Sequence, residues 1–399
     1  MAVPWSEHTV TIYKPDKTYE GYTLIAPFTS SNAWLIDLDG HYVHRWKLRS
    51  QPRNHATLLP NGHLLYASAG PLPPATDMSF PQVGSWGLGA GIIELDWEGN
   101  EIWKYVDRYQ SHSFWRMDNG NTMICRITKV PDELSPVLKG GLPGSEDRGI
   151  IWTDGLREVN QHGEIVWEWD MADHIEPDVH VACPLEHRAD FTHMNSVQVL
   201  PNGDVLTGFR NISTIIIIDK QTGKIGWQGG PGFVSHQHWP NMLANGNILV
   251  FDNGEHRNDG SRLSFSRIIE LDPSTMNVEW MYTANPPQSF YSALLGGAER
   301  LPNGNTLICE AMKGRIFEVT PDGEIVWQYT NPFYAPHGTH GKVSIVGWRY
   351  SNAVFRASRY APDYPGLRHK DLSPKKLTWI NALYGPEAFD RRPLNPSLD

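Results

Sequence analysis

Four histidines occupy matching places in a repeated pattern. His55, His112, His193 and His238 precede the Asn of an Asn-Gly pair by six, seven, nine and seven residues, the partners being Asn61, Asn119, Asn202 and Asn245. Each therefore falls where the first strand of a hairpin begins. If those strands are innermost in a radial array, symmetry aims four imidazoles at one small volume. Imidazoles gathered in this way support two kinds of chemistry. They can ligate a divalent transition metal such as Zn, Fe, Cu or Mn, or act as nucleophile and general acid–base around an anion. Arg210, in GFRNIS, follows the second strand of the His193 hairpin. A permanent cation there is unfavourable beside a metal ion and well suited to a tetrahedral oxyanion. The equivalent position of a fifth hairpin falls at Gly296 and Gly297, which leaves that side open, and His337 and His340 in PHGTHGK would fill the sixth sector. His41, His44, His63, His162, His187 and His369 lack this placement and are read as surface residues.

The elements that position these residues are themselves repeated. One half-unit is an apolar strand, a turn with Asp or Asn and Gly, and a strand ending in Trp. It recurs six times, ending at Trp46, Trp103, Trp167, Trp227, Trp280 and Trp327, at spacings of 47 to 64 residues. The other half is a hairpin about Asn-Gly, as in ATLLPNGHLLYAS and SVQVLPNGDVLTGF. Asn-Gly between apolar runs predicts a type I′ turn. Two hairpins make one four-stranded blade, and six copies predict an all-β, six-bladed β-propeller. A sixth Asn-Gly hairpin is missing. The segment KVSIVGWRYSNAVFRASRY instead predicts a ring closed by pairing N- and C-terminal strands, which removes exposed edges. The expected organisation is an N-terminal extension over 1–20, the propeller over 21–360 and a Pro-rich tail over 361–399 packing on the outside. The tryptophans are expected to pack between blades.

The totals agree with many short strands. Among 399 residues are 16 Trp, 15 Tyr, 13 Phe, 36 Gly and 30 Pro. A net charge of −10 argues against nucleic acid or an anionic membrane surface as partner. The three cysteines, Cys125, Cys183 and Cys309, form no CxxC pair, so buried free thiols are expected rather than a disulfide framework or a thiolate zinc site. No apolar run reaches the ~18 residues needed to span a bilayer, and the longest β-branched run, Thr214 to Ile218, has the length of one strand. The polar first twenty residues lack an apolar h-region, so a cytoplasmic location is expected. The oligomeric state is left open, with a homodimer as one option.

Three segments carry a family resemblance. HMNSVQVLPNGDVLTGFRN, QHWPNMLANGNILVFDNG and SHSFWRMDNGNTM resemble segments of the bacterial aryl-sulfate sulfotransferases, and the likeness runs from about Gly21 to Tyr360. The resemblance implies a six-bladed propeller that moves a sulfuryl group from an aryl sulfate to a phenol through a sulfohistidine, without a nucleotide donor. It maps the nucleophile to His238 and sulfate binding to His193 and Arg210, with Asn195 nearby. His112 becomes a further active-site histidine, and His55 is an extra one at the mouth. Phe114, Trp115, Trp239 and Tyr291 are the expected stacking partners for a small aromatic substrate. No cofactor is expected on this reading. Family members with a secretion signal, a disulfide and an N-terminal β-sandwich differ from this sequence in those three features. The alternatives are a metal-dependent lyase, hydrolase or oxygenase using His55, His112, His193 and His238 as ligands, and a non-catalytic propeller binding module.

Overall fold

The computed structural model describes residues 9–28, 30–70, 77, 79–81, 90–260, 263–336, 350–386 and 388. His337 and His340 lie outside them. Six antiparallel four-stranded sheets form a six-bladed propeller. From the inside outwards, blade 1 is Val354–Tyr360, Tyr22–Pro27, Asn32–Ile36 and Tyr42–Lys47. The innermost strands of blades 2 to 6 are Pro52–Leu58, Gln110–Arg116, Met194–Val199, His238–Met242 and Gly297–Arg300. Each touches the innermost strand of the next blade around the whole ring. The β-branched run Thr214–Ile218 is the third strand of blade 4.

The chain closes as expected. Tyr22 pairs with Tyr360, Thr23 with Arg359 and Ile25 with Ala357, so the first blade is shared by the two ends of the propeller sequence. Arg359 staples this seam. Its guanidinium donates to Thr23 Oγ1 at 2.7 Å and to the Tyr19 carbonyl at 2.7 Å, reaches Glu318 of blade 6 at 3.4 Å, and lies 4.6 Å over the Trp327 ring.

Both outermost edges at the seam are covered. Val10–Tyr13 adds a fifth strand to blade 6 by pairing with Ile325–Thr330. On blade 1, Asn381, from the helix Thr378–Tyr384, bonds both the N–H and the carbonyl of Tyr42 through its side chain. Such cover is how a sheet edge is kept from recruiting another chain.

The Asn-Gly hairpins form where expected, but with a different turn. In each of the five, the Gly N–H donates to the carbonyl three residues before it, and that same residue donates to the residue after Gly; Leu59, Gly62 and His63 are one instance. The glycines have φ between +85° and +91°, and the preceding asparagines do not enter the positive-φ region. The loop is thus a type I turn followed by a left-handed Gly, not type I′. Proline before Asn, as at Pro60, Pro201 and Pro302, presets the first turn residue. The Asn carboxamide then accepts the N–H two residues on, as Asn61 does from His63.

The tryptophans do more than fill space. In every blade one indole N–H donates to a carbonyl in the outer turn of the next blade, at 2.7 to 3.1 Å: Trp46 to Asp96, Trp103 to Gln161, Trp169 to Gly223, Trp227 to Pro273, Trp280 to Pro321, and Trp327 across the seam to Leu38. In blade 3 the donor is Trp169, two residues beyond the Trp167 that marks the repeat. The two share a strand face, and Trp167 packs beside Lys220 instead. His44, expected on the surface, is half-buried at the blade 1–2 seam. It stacks on Trp97 with ring centroids 3.7 Å apart, and burial lowers its pKa to about 4. The inter-blade bond should be measurable: Trp169→Phe should lower stability by about 1–3 kcal/mol in urea unfolding, whereas Trp167→Phe should change the midpoint far less.

Candidate functional site

A common irregularity delivers the four histidines. The pairing of each innermost strand with its neighbour slips at the histidine or just after it: between Pro52 and Ala56, between Gln110 and Phe114, between Met194 and Ser196, and between His238 and Asn241. Bulges of this kind bend a strand and re-aim side chains. The backbone is left-handed at His112 (φ +28°), His193 (φ +58°) and Trp239 (φ +49°). Non-glycine residues there cost of order 1–3 kcal/mol each and cluster at functional sites.

The bulges bring the rings together around Phe355 of the closing strand. His55, His112 and His238 have ring centroids 6.2, 6.4 and 6.2 Å from Phe355, and His112 lies 4.5 Å from His193. All four histidines are buried. Phe355 stands among these rings, and among the described residues the four do not form a set of three ligand atoms within 4.8 Å of one another.

His238 is held in one tautomer. Its Nδ1 lies 2.8 Å from Asn253 Oδ1, while Asn253 Nδ2 donates to the carbonyls of Ser292 at 2.7 Å and Leu295 at 2.8 Å. Those two acceptors orient the amide, so its oxygen faces His238 and Nδ1 must carry the proton. Nε2 is left with a free lone pair. Burial, and secondarily Arg210, His193 and His112, keep the ring neutral by lowering its pKa well below the ordinary imidazole value.

His193 is held differently. Its Nδ1 lies 2.5 Å from Asp190 Oδ2. Burial lowers His193 to about 3 and raises the Asp190 carboxyl well above the usual carboxylate range. With charge disfavoured on both, the proton between them stays on Asp190, and His193 carries its own on Nε2. The pair therefore presents an N–H donor, where His238 presents an acceptor.

Arg210 is buried and nearby, but not free. Its Nη1 donates to Glu186 Oε1 at 2.8 Å and to Asn211 Oδ1 at 2.7 Å. The cation that stands unpartnered is Arg356, which sequence reasoning missed. It is 6 % exposed, and Nε, Nη1 and Nη2 all lack a hydrogen-bond partner among the described residues. Its guanidinium carbon sits 3.1 Å over the Trp239 ring and 5.5 Å from Phe355. A desolvated guanidinium with five donors and no hydrogen-bond partner among the described residues has chemistry suited to an anion.

The remaining residues fall into distinct places. Phe114 stacks on His55 with centroids 4.4 Å apart and rings 7° from parallel. Trp239 is half-buried beneath Arg356. Asn195 is fully buried and donates to the Gln237 carbonyl at 2.7 Å, tying blade 4 to blade 5. Trp115 packs on the core cluster around Met123 and Phe209, away from the rings about Phe355. Tyr291 donates its hydroxyl to Glu255. Gly296 and Gly297, at the blade 6 position, leave room that Phe251, Trp239 and Arg356 occupy. Asn253 was visible in FDNG without an assigned role. Arg356 lies in the one innermost strand without an Asn-Gly hairpin, so repeat alignment did not reach it.

A family model described as arylsulfotransferase (ASST) matches residues 75–332. No curated protein matches the chain. Among solved structures, a protein of unknown function from Bacteroides caccae is 14% identical, with 85% of this chain and 98% of that chain covered and a TM-score of 0.52. A streptogramin B lyase is 12% identical, with 83% and 85% covered and a TM-score of 0.45. The first of these likenesses concerns the fold alone, and the second carries no argument. Matched by the family model over well more than half its length, the chain belongs to the arylsulfotransferase family and carries a sulfotransferase-type function.

Proposed function

We propose that this protein transfers a sulfuryl group from an aryl sulfate to a phenolic acceptor by way of a sulfated His238. The observation that carries the reading is the free Nε2 lone pair on His238, set by Asn253 and kept neutral by burial. The lone pair attacks sulfur as the bond from sulfur to the aryl oxygen breaks. The departing aryloxide takes the proton of His193 Nε2 as the Asp190 proton shifts to Nδ1, and the acceptor phenol reverses both transfers in the second half. Arg356, whose donors have no partner among the described residues, receives the sulfuryl oxygens as charge builds on them. His112 and His55 complete the wall, and Trp239, half-buried beside the nucleophile, is the ring best placed to flank an aryl group.

Asn253 matters for the return step. A carboxamide cannot take the Nδ1 proton, so the sulfated ring stays an imidazolium and remains a good leaving group. An aspartate there would neutralise it and make the intermediate too stable.

Three outcomes test this reading. His238→Ala should abolish transfer from 4-nitrophenyl sulfate to a phenol, and mass spectrometry of wild type caught with donor alone should find the sulfuryl group on His238; full activity in the variant would overturn the mechanism. Asn253→Asp should accumulate sulfated enzyme and slow turnover by about 10²-fold or more. Finally, the neutral ring is the nucleophile, and its folded-state pKa is lowered. The donor kcat/KM should therefore stay level as pH falls through 6.5 and decline only further down; an inflection near the ordinary imidazole value would contradict the assigned state of His238.

A further inference from the structure

A second cluster of potential ligands lies beside the histidine site, on elements outside the propeller repeat. The strand Ala182–His187, in the connection from blade 3 to blade 4, brings Cys183 and Glu186 against the lead-in to blade 5 and the loop after Asp252. Cys183 Sγ lies 3.4 Å from His256 Nδ1. Glu186 Oε1 lies 3.3 Å from His236 Nε2 and 3.7 Å from His256 Nδ1. One ligand atom each from Cys183, His236 and His256 falls within 4.8 Å of the other two, and the two imidazoles meet at 90° with centroids 5.0 Å apart. Ligands at ordinary zinc bond lengths in a tetrahedron stand about 3.3–3.8 Å apart.

Hydrogen bonds behind the cluster determine what faces inward. Ser235 Oγ donates to the Glu255 carbonyl at 2.6 Å, so a lone pair of that hydroxyl faces His236 Nδ1 at 3.3 Å. His236 therefore carries its proton on Nδ1 and turns a lone pair inward at Nε2. The Glu255 carboxylate, which also accepts from Tyr291, stands 3.3 Å from His256 Nε2. His256 therefore carries its proton on Nε2 and turns a lone pair inward at Nδ1. A carboxylate behind a ligating histidine is the usual outer support of a metal site. The result is two imidazole lone pairs, a carboxylate oxygen and a thiol around one point, a set rich in acceptors in which only Glu186 Oε1 already meets a cation, Arg210 Nη1 at 2.8 Å. The left-handed backbone at His236 (φ +57°) and His256 (φ +52°) shows that both rings are held at a conformational cost.

We propose that Cys183 Sγ, His236 Nε2, His256 Nδ1 and the Glu186 carboxylate bind one divalent transition metal of the zinc class, with Cys183 losing its thiol proton on binding. A thiolate with two imidazoles selects against magnesium and calcium. The ion would pin the Ala182–His187 strand to blade 5. Through Glu186, which holds Arg210, it would also stiffen one wall of the histidine site. This site shares no ligand with the His55, His112, His193 and His238 group and does not depend on the sulfuryl-transfer reading.

The test uses the full-length protein loaded with Zn²⁺, freed of excess ion and measured by elemental mass spectrometry, with Co²⁺ substitution read in parallel by absorption. About one ion per chain and a thiolate-to-cobalt charge-transfer band are expected. Cys183→Ser and His256→Ala, both at partly exposed positions, should each cut metal retention at least about tenfold, with Cys183→Ser also removing the charge-transfer band. His238→Ala should keep both metal and band, and circular dichroism of each variant would confirm that it is folded. A protein that retains no metal, or folded Cys183→Ser and His256→Ala proteins that bind as well as wild type, would overturn the proposal.

Discussion

The pairing of Tyr22–Pro27 with Val354–Tyr360 is the constraint on which the rest of this structure depends. It makes six blades into a ring, and a ring is what turns six equivalent strand positions into one central volume. The same strand also furnishes the middle of that volume. Phe355 is the ring around which His55, His112 and His238 gather, and Arg356 is the only site cation described here whose donors all lack partners. Closure and site are therefore one event. Until the C-terminal strand is seated, three histidines lack their packing partner and Arg356 is elsewhere. The Arg359 staple to Thr23, Tyr19 and Glu318, and the Trp327 bond to Leu38, concentrate interactions at this last seam.

The site is built against local preference. Four bulged strands, left-handed backbone at His112, His193 and Trp239, and a buried guanidinium without a hydrogen-bond partner among the described residues are each unfavourable alone. They persist because neighbouring blades over-determine them: Asn195 crosses to the Gln237 carbonyl, Asn253 to Ser292 and Leu295, and the indole bonds lock blade to blade. An unpartnered cation held in this way is preorganised for incoming negative charge, because little has to rearrange when the charge arrives.

Features that repeat could be read in the sequence. Six strand-Trp units and five Asn-Gly hairpins specify blade number, strand order and the register of the four histidines, because the same physics recurs and each copy checks the others. What occurs once was not legible. Arg356 stands in the only innermost strand without an Asn-Gly partner. Cys183, Glu186, His236 and His256 lie in connections whose course no periodicity describes. Where a repeat was followed too literally, it misled by small steps. Trp167 marks the period while Trp169 makes the bond, Trp115 packs on the core, and His44 proves to be a seam residue because blade 1 shifts its Trp two positions along. The Asn-Gly turn was located correctly with the wrong geometry, since the type I turn with a left-handed glycine adds one residue to the loop.

The two arginines show why residue type alone does not assign a role. Arg210 and Arg356 are both buried beside the histidines, and Arg210 was the one that the repeat made visible. Yet Arg210 spends Nη1 on Glu186 and Asn211, and Glu186 in turn faces His236 and His256. Its charge is balanced within the protein, so it shapes the field felt by His193 and His238 while remaining anchored to the wall. Arg356 has no hydrogen-bond partner among the described residues, and its guanidinium lies against the Trp239 and Phe355 rings. Burial disfavours its charge, and an incoming anion relieves that penalty. A ligand with concentrated negative charge on several oxygens is the kind that a desolvated guanidinium beside a neutral imidazole favours.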